Sequence, residues 1–285
     1  MKTISANGLM LPAIGMGGWN LGDDPSRENG EIAALRRGIE LGANLIDTAE
    51  MYGDGRSELL IGRATRGLKR GNYMLVSKVY PHNAGREHIF NSCKASLSRL
   101  NVDYLDLYLL HWRGTVPLAE TVECMEELVA DGMIKRWGVS NFDVSDMEEL
   151  LRIPGGEHCA VDQVLYNIES RGIEFDLLPW LAARGIAVMA YCPLAQAGGL
   201  KRSEKFLPTD KTLIYVAEKY KISVFQLMLA FVLRRDGVMA IPKAGSVIHT
   251  EQNAAAADIV IAQEDLAVLD GAFWPPTSKM HLDMD

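Results

Sequence analysis

The chain has 285 residues, with 29 Lys or Arg against 37 Asp or Glu, so its formal net charge is −8; 48% of residues are hydrophobic and 23% charged. That is the profile of a globular protein with a large core, long enough for one α/β barrel or two smaller domains. The acidic balance argues against nonspecific binding to nucleic acid or to an anionic membrane, both of which need a basic face, though it leaves room for one basic pocket. No apolar run approaches the ~18 residues of a spanning helix. The opening, Met1-Lys2-Thr3-Ile4-Ser5-Ala6-Asn7-Gly8, carries no secretory signal, so a cytoplasmic location is expected. Cys93, Cys124, Cys159 and Cys192 form no C-x-x-C pair and read as reduced thiols.

Taken from the N-terminus, short apolar runs at 13–17, 44–48, 73–78, 104–111, 134–141, 160–167, 186–194 and 238–242 read as strands. Helical stripes lie between them. Ile32, Leu35 and Ile39 mark one; Ile89, Cys93, Leu97 and Leu100 a second; Leu118, Val122, Met125 and Val129 a third; Val224, Leu227, Met228 and Phe231 a late one. A final helix is expected at about 263–271, followed by a short tail. Strand runs without clean alternation suggest parallel strands covered on both faces. Eight strand–helix alternations in about 250 residues are the arithmetic of a TIM barrel, with a doubly wound open sheet as the competitor. Gly15-Met16-Gly17-Gly18 lacks the spaced third glycine of a dinucleotide-binding turn.

A barrel collects function at the carboxyl ends of its strands. Those ends carry Asp47, Lys78, His111, Ser140-Asn141, Gln163, Tyr191 and Lys243. Singly, each has a bland explanation, such as a helix cap, a surface lysine or a core histidine. Their shared position at one face does not. Tyr52 lies five residues past Asp47 in a glycine-bearing loop, Glu50-Met51-Tyr52-Gly53-Asp54-Gly55. No nucleophile elbow and no metal-ligand spacing is present, so no metal is expected. Asp, Tyr, Lys and His together suit proton transfer. A tyrosine with a pKa of about 10 is a poor acid–base group near neutrality, and a neighbouring ammonium is expected to lower that value. Asp47 would hold Lys78 charged, and His111 would orient a carbonyl or share the proton. Such a group polarises and protonates a carbonyl but contains no reductant, so a cofactor must supply the hydride.

The chain resembles the aldo-keto reductase superfamily in Gly42-Ala43-Asn44-Leu45-Ile46-Asp47-Thr48-Ala49 with Tyr52, Val76-Ser77-Lys78, and Asp103-Tyr104-Leu105-Asp106-Leu107-Tyr108-Leu109-Leu110-His111. The resemblance continues through Lys135-Arg136-Trp137-Gly138-Val139-Ser140-Asn141-Phe142, Ala190-Tyr191-Cys192-Pro193-Leu194 and Ile241-Pro242-Lys243. It implies one α/β domain over 1–285, a (β/α)8 TIM barrel with a short N-terminal β-hairpin, and NADPH laid across the carboxyl-end face. Tyr52 would be the general acid, assisted by Lys78, Asp47 and His111. Ser140, Asn141 and Gln163 match positions that hydrogen-bond the nicotinamide carboxamide, and Tyr191 the ring stacked on the nicotinamide. Leu194, Lys243, His249 and Asn253 complete the implied cofactor set, with Lys243 near the adenosine phosphates and Asn253 at the adenine.

Two positions depart from the pattern. Ala244 replaces a hydroxyl donor near the 2′-phosphate, and His249 stands where an arginine usually grips it, so tolerance of NADH is expected. Trp19, Tyr80 and Trp112 flank strand ends and should ring the carbonyl, while Arg113 reads as a solvated surface residue. The short tail suggests an open pocket, and its sequence is most similar to small bacterial reductases acting on methylglyoxal and other short aldehydes. The expected protein is therefore a monomeric carbonyl reductase of small aldehydes and ketones. A cofactor-binding regulatory subunit resembling the potassium-channel β branch is the alternative. A Schiff-base aldolase using Lys78 ranks below both, because it leaves the cofactor-type residues unexplained.

Overall fold

The computed structural model describes residues 1–195 and 207–284. It opens with an antiparallel hairpin, β1 (Thr3–Ala6) and β2 (Leu9–Pro12). Asn7 and Gly8 turn it, with φ of 44° and 78°. Paired left-handed residues of this kind make the two-residue turn whose twist suits a hairpin.

Eight parallel strands follow: β3 (Met16–Gly17), β4 (Leu45–Asp47), β5 (Met74–Val79), β6 (Leu105–Leu110), β7 (Ile134–Ser140), β8 (Val161–Leu165), β9 (Ala187–Tyr191) and β10 (Val238–Ala240). Each pairs with its neighbour in chain order. The sheet closes through a parallel bridge between Ile14 and Ala240, where Gly15 N donates to Ala240 O at 2.8 Å and Ala240 N to Ala13 O at 2.9 Å. This is the expected (β/α)8 barrel, and the open-sheet alternative is removed. The expected strand runs differ from the observed strands by a few residues at the ends.

Between and after the strands run α1 (Glu28–Glu40), α2 (Arg56–Thr65), α3 (Ile89–Leu100), α4 (Leu118–Ala130), α5 (Val144–Leu151), α6 (Leu177–Ala182), α7 (Lys211–Tyr220), α8 (Val224–Val232), α9 (Val247–Ala255) and α10 (Gln263–Ala272). The stripes on α3 and α4 face the sheet: Ile89, Cys93, Leu97, Leu100, Leu118, Val122 and Met125 are all buried. None of the described helices is long and apolar enough to cross a membrane.

Side-chain alternation divides the core in two. One set of strand residues packs outward against the helices, among them Ile46, Leu75, Tyr108, Leu110, Val139 and Val188. The other set fills the barrel: Leu45, Val76, Leu107, Leu109, Val161, Ala187, Met189, Met239 and Ile241, joined by Ile4, Ala6 and Leu11 of the hairpin. The hairpin therefore plugs the amino end. Along four of the strands the inward register then runs from apolar to polar, Leu45 to Asp47, Val76 to Lys78, Val161 to Gln163 and Met189 to Tyr191.

The last quarter is pinned by a buried ion cluster. Glu174 accepts from Arg171 at 2.9 Å, Arg234 at 2.6 Å, Arg235 at 3.0 Å and Tyr166 Oη at 2.7 Å. The residues after α10 are tied down. Lys279 bonds Asp143 and, at 2.7 Å, Asp176, the N-terminal caps of α5 and α6, and Ser170 bonds Asp283.

Burial raises the pKa of the Glu174 carboxyl, but the Arg171 hydrogen bond and the Arg234 charge outweigh it and bring the pKa to about 2 from 4.5. A depressed carboxylate pKa contributes stability above the unfolded value, and that stability is lost as pH falls through the folded one. Glu174→Gln should therefore lower unfolding free energy by about 3 kcal/mol or more at neutral pH, because it leaves buried arginine charge unpaired. In urea titrations the gap from wild type should shrink as pH falls from about 5 to about 2. A gap independent of pH would sink this account.

Candidate active site

The site begins with β4 and β5, whose register sets Asp47 opposite Val76. Two residues further along β5, Lys78 points into the barrel and is fully buried. Its Nζ donates to Asp47 Oδ2 at 2.7 Å, to the Thr48 carbonyl at 2.8 Å and to Tyr52 Oη at 3.1 Å. Three donors meet three acceptors, so the ammonium is saturated. An uncharged Lys78, which Schiff-base chemistry needs, would leave that pocket of acceptors unsatisfied. The second Asp47 oxygen accepts from Gln163 Nε2 of β8 at 2.8 Å, which braces the pair across the barrel.

Tyr52 is on a turn, not a strand. Gly53, Asp54 and Gly55 follow it with φ of 58°, 52° and 88°, three left-handed residues in succession. Two glycines and an aspartate tolerate that region best. The turn is clamped from both sides. Arg56 donates twice to Asp23 at 3.0 and 3.1 Å. A Cβ on Gly55 would fall 2.6 Å from Arg99 Cδ, so the arginine packs directly beneath. Arg99 in turn donates to the buried Glu58 at 2.5 Å. The loop after β3 is held as closely, with Gly18 N donating to Asp47 O at 2.7 Å and no space for a Cβ there.

His111 lies one residue past β6, with its ring centroid 5.9 Å from that of Tyr52. Its Nδ1 is buried without a partner. The expected aromatic residues meet here. Trp19 stands edge-on to Tyr52 at 4.9 Å, Trp112 is 4.8 Å from His111, and Tyr80 is 6.0 Å from Trp112. Arg113 faces outward onto Glu149 at 2.7 Å.

The electrostatics correct one expectation. Burial pushes the Tyr52 phenol well above its ordinary value, and the Asp47 carboxylate pushes it further the same way. The ammonium of Lys78 does not reverse this, because Asp47 offsets its charge at 2.7 Å. The resting group is a neutral phenol. Burial lowers the pKa of Lys78, opposed by Asp47. Burial, with the Lys78 charge second, brings His111 down to about 2, so the imidazole is neutral.

The remaining candidates continue around the rim. Ser140 Oγ donates to Gln163 O at 2.8 Å, and Tyr191 Oη to Asn141 Oδ1 at 2.9 Å. Asn141 adopts a left-handed φ of 61°, and its Nδ2 reaches His111 O and Ser140 Oγ, both at 3.3 Å. Leu194 is half-buried after β9. Lys243, His249 and Asn253 form a separate group on the loop after β10 and on α9. The first two are exposed and Asn253 is buried. Ser246 caps α9, accepting from the His249 amide at 3.4 Å. The donor set fits a long dinucleotide, with amide, hydroxyl and aromatic groups at one end and an ammonium beside a helix N-terminus at the other.

Sequence reasoning missed the supports. Glu50 accepts from Tyr80 N at 2.7 Å, Glu58 from Ser77 Oγ at 2.6 Å, and Glu31 from Gly22 N at 2.9 Å. Local pattern does not separate these carboxylates, of which Glu31 and Glu58 are buried, from solvated ones.

Comparison with known proteins bears on the whole chain. The profile of the Aldo/keto reductase family matches residues 13–273. The chain is 52% identical to methylglyoxal reductase YeaE of Escherichia coli over 284 residues, 99% of each protein. It is 33% identical to glyoxal reductase of Bacillus subtilis, covering 93% of this chain and 90% of that protein. A crystal structure of an aldo/keto reductase from Klebsiella pneumoniae in complex with NADP and acetate superposes with a TM-score of 0.96 at 53% identity, covering 100% of this chain and 99% of that one.

An imidazole with so low a pKa should not titrate under ordinary conditions. NMR of the His111 ring is expected to show one neutral form down to about pH 5, and a midpoint near 6.5 would contradict the burial argument.

Proposed function

The chain belongs to the aldo/keto reductase family, and on that premise we propose that it is an NAD(P)H-dependent carbonyl reductase of short aldehydes and ketones, with Tyr52 as the acid. The observation that carries the assignment is the saturated Lys78 between Asp47 and Tyr52, 2.7 and 3.1 Å away. The names of the two curated relatives, reductases of methylglyoxal and glyoxal, support small α-dicarbonyl aldehydes as substrates. The NADP-bound relative supports NADP(H) as the cofactor.

A carbonyl carbon accepts a hydride only as its oxygen gains a proton or an equivalent charge partner. The neutral phenol of Tyr52 has that proton to give. As it leaves, negative charge develops on Oη, where the Lys78 ammonium already stands and needs no reorganisation. Asp47 holds Lys78 in place, and Gln163 holds Asp47. Neutral His111 orients the carbonyl oxygen toward Tyr52 and does not compete as a proton donor. Trp19, Tyr80 and Trp112 wall the carbonyl and exclude water. The hydride itself comes from the reduced nicotinamide when it is bound. Ser140, Asn141, Gln163 and Tyr191 would hold that end of the cofactor, with Leu194 beside it, and Lys243, His249 and Asn253 the adenosine end.

Tyr52→Phe removes the proton and keeps the ring. It should cut turnover of methylglyoxal by about 10²-fold or more while leaving NADPH affinity within about twofold. Retention of more than about a tenth of wild-type turnover would overturn the acid assignment. Lys78→Met should lose turnover similarly, because the phenolate then forms in a buried site without a cation.

A further inference from the structure

Glu31 stands in the first turn of α1 and is only 1% exposed. Its Oε2 accepts the Gly22 amide at 2.9 Å, which ties α1 to the loop after β3. Its other oxygen reaches the loop after β10. A carbon at the Cβ position of Gly245 would lie 3.5 Å from Lys243 Nζ and 4.0 Å from Glu31 Oε1. An ammonium and a carboxylate therefore converge on one glycine that leaves the space between them clear. The nearby arginine at the α1–α9 seam is already committed, since Arg37 pairs with Glu251 at 2.8 Å and Glu40 at 3.0 Å. Lys243 is the standing cation of its loop, and position 244 offers no hydroxyl.

We propose that Glu31 is a specificity-determining residue that narrows discrimination between NADPH and NADH. It rests on the reading that Lys243 meets the adenosine phosphates. A 2′-phosphate adds close to two negative charges, and Glu31 acts against them in two ways. It repels them directly, and it competes with them for Lys243. NADH lacks the group and is indifferent to both effects. A brace for Gly22 alone would explain the hydrogen bond, but not the approach of Glu31 Oε1 and Lys243 Nζ to the same glycine.

Glu31→Gln keeps an acceptor for Gly22 and removes only the charge. Dissociation constants for NADPH and NADH, read by quenching of tryptophan fluorescence, separate the possibilities. The variant should bind NADPH about three- to tenfold more tightly and NADH within about twofold of wild type. Glu31→Asp, which withdraws the charge by one methylene, should fall between and provides a second route if the glutamine variant folds poorly. In a Lys243→Met background the effect of Glu31→Gln should shrink, as expected for coupled charges. An unchanged NADPH-to-NADH ratio in Glu31→Gln, with NADPH weakened in Lys243→Met, overturns the role of Glu31 alone. If Lys243→Met leaves NADPH affinity unchanged, the placement of Lys243 at the phosphates fails, and this proposal fails with it.

Discussion

The ammonium of Lys78 is the constraint around which the barrel is organised. Removing such a charge from water costs several kcal/mol unless geometry and hydrogen bonds offset it. The offset comes from one neighbouring segment: the Asp47 carboxylate ends β4, and the Thr48 carbonyl and the Tyr52 hydroxyl follow it. A one-residue slip between β4 and β5 would turn Lys78 toward the helices and leave Asp47 alone in the interior. The polar group thus fixes register more strictly than the apolar layers below it. Gln163 extends the bracing to β8 on the far side.

The same burial decides the proton chemistry. In water a lysine beside a tyrosine draws the phenol down, which is the expectation that residue types alone suggest. Inside the barrel Asp47 balances Lys78, and the dominant effect is the cost of a phenolate away from water. The phenol is therefore neutral at rest, and on the proposed mechanism it gives up its proton only when charge moves onto a bound acceptor. His111, also buried, stays neutral. On the proposed mechanism, one group then donates the proton and the other orients the carbonyl.

Much of this is legible in the sequence. The eight strands and the residues at their carboxyl ends are local features, and Asp47, Lys78 and His111 could be placed by strand order alone. Tyr52 could be noticed because its loop carries two glycines. What local pattern did not reveal was sign and support. The direction of the Tyr52 shift depends on burial, which arises only when the barrel closes through Ile14 and Ala240. Nothing near Glu58 or Arg99 in sequence indicates that each is the other's partner, 41 residues away. The anchors of the tail are hidden in the same way, because Asp143 and Asp176 stand far from Lys279 in sequence.

The placement of Tyr52 shows why those hidden supports matter. Lys78 is held by a strand, whose position the whole sheet determines. Tyr52 is held by a turn with three left-handed residues, a conformation that costs energy and has no ladder to sustain it. A contact of 3.1 Å between a rigid group and a strained loop persists only if something outside the contact fixes the loop. Glu58 does so. It belongs to the helix that continues from the turn, pairs with the arginine packed under Gly55, and accepts a hydrogen bond from Ser77, the residue beside Lys78 in β5. One buried carboxylate on the outer side of the sheet thus joins the loop bearing Tyr52 to the strand bearing Lys78. The spacing inside the barrel is set, in part, by a charge network that lies behind it.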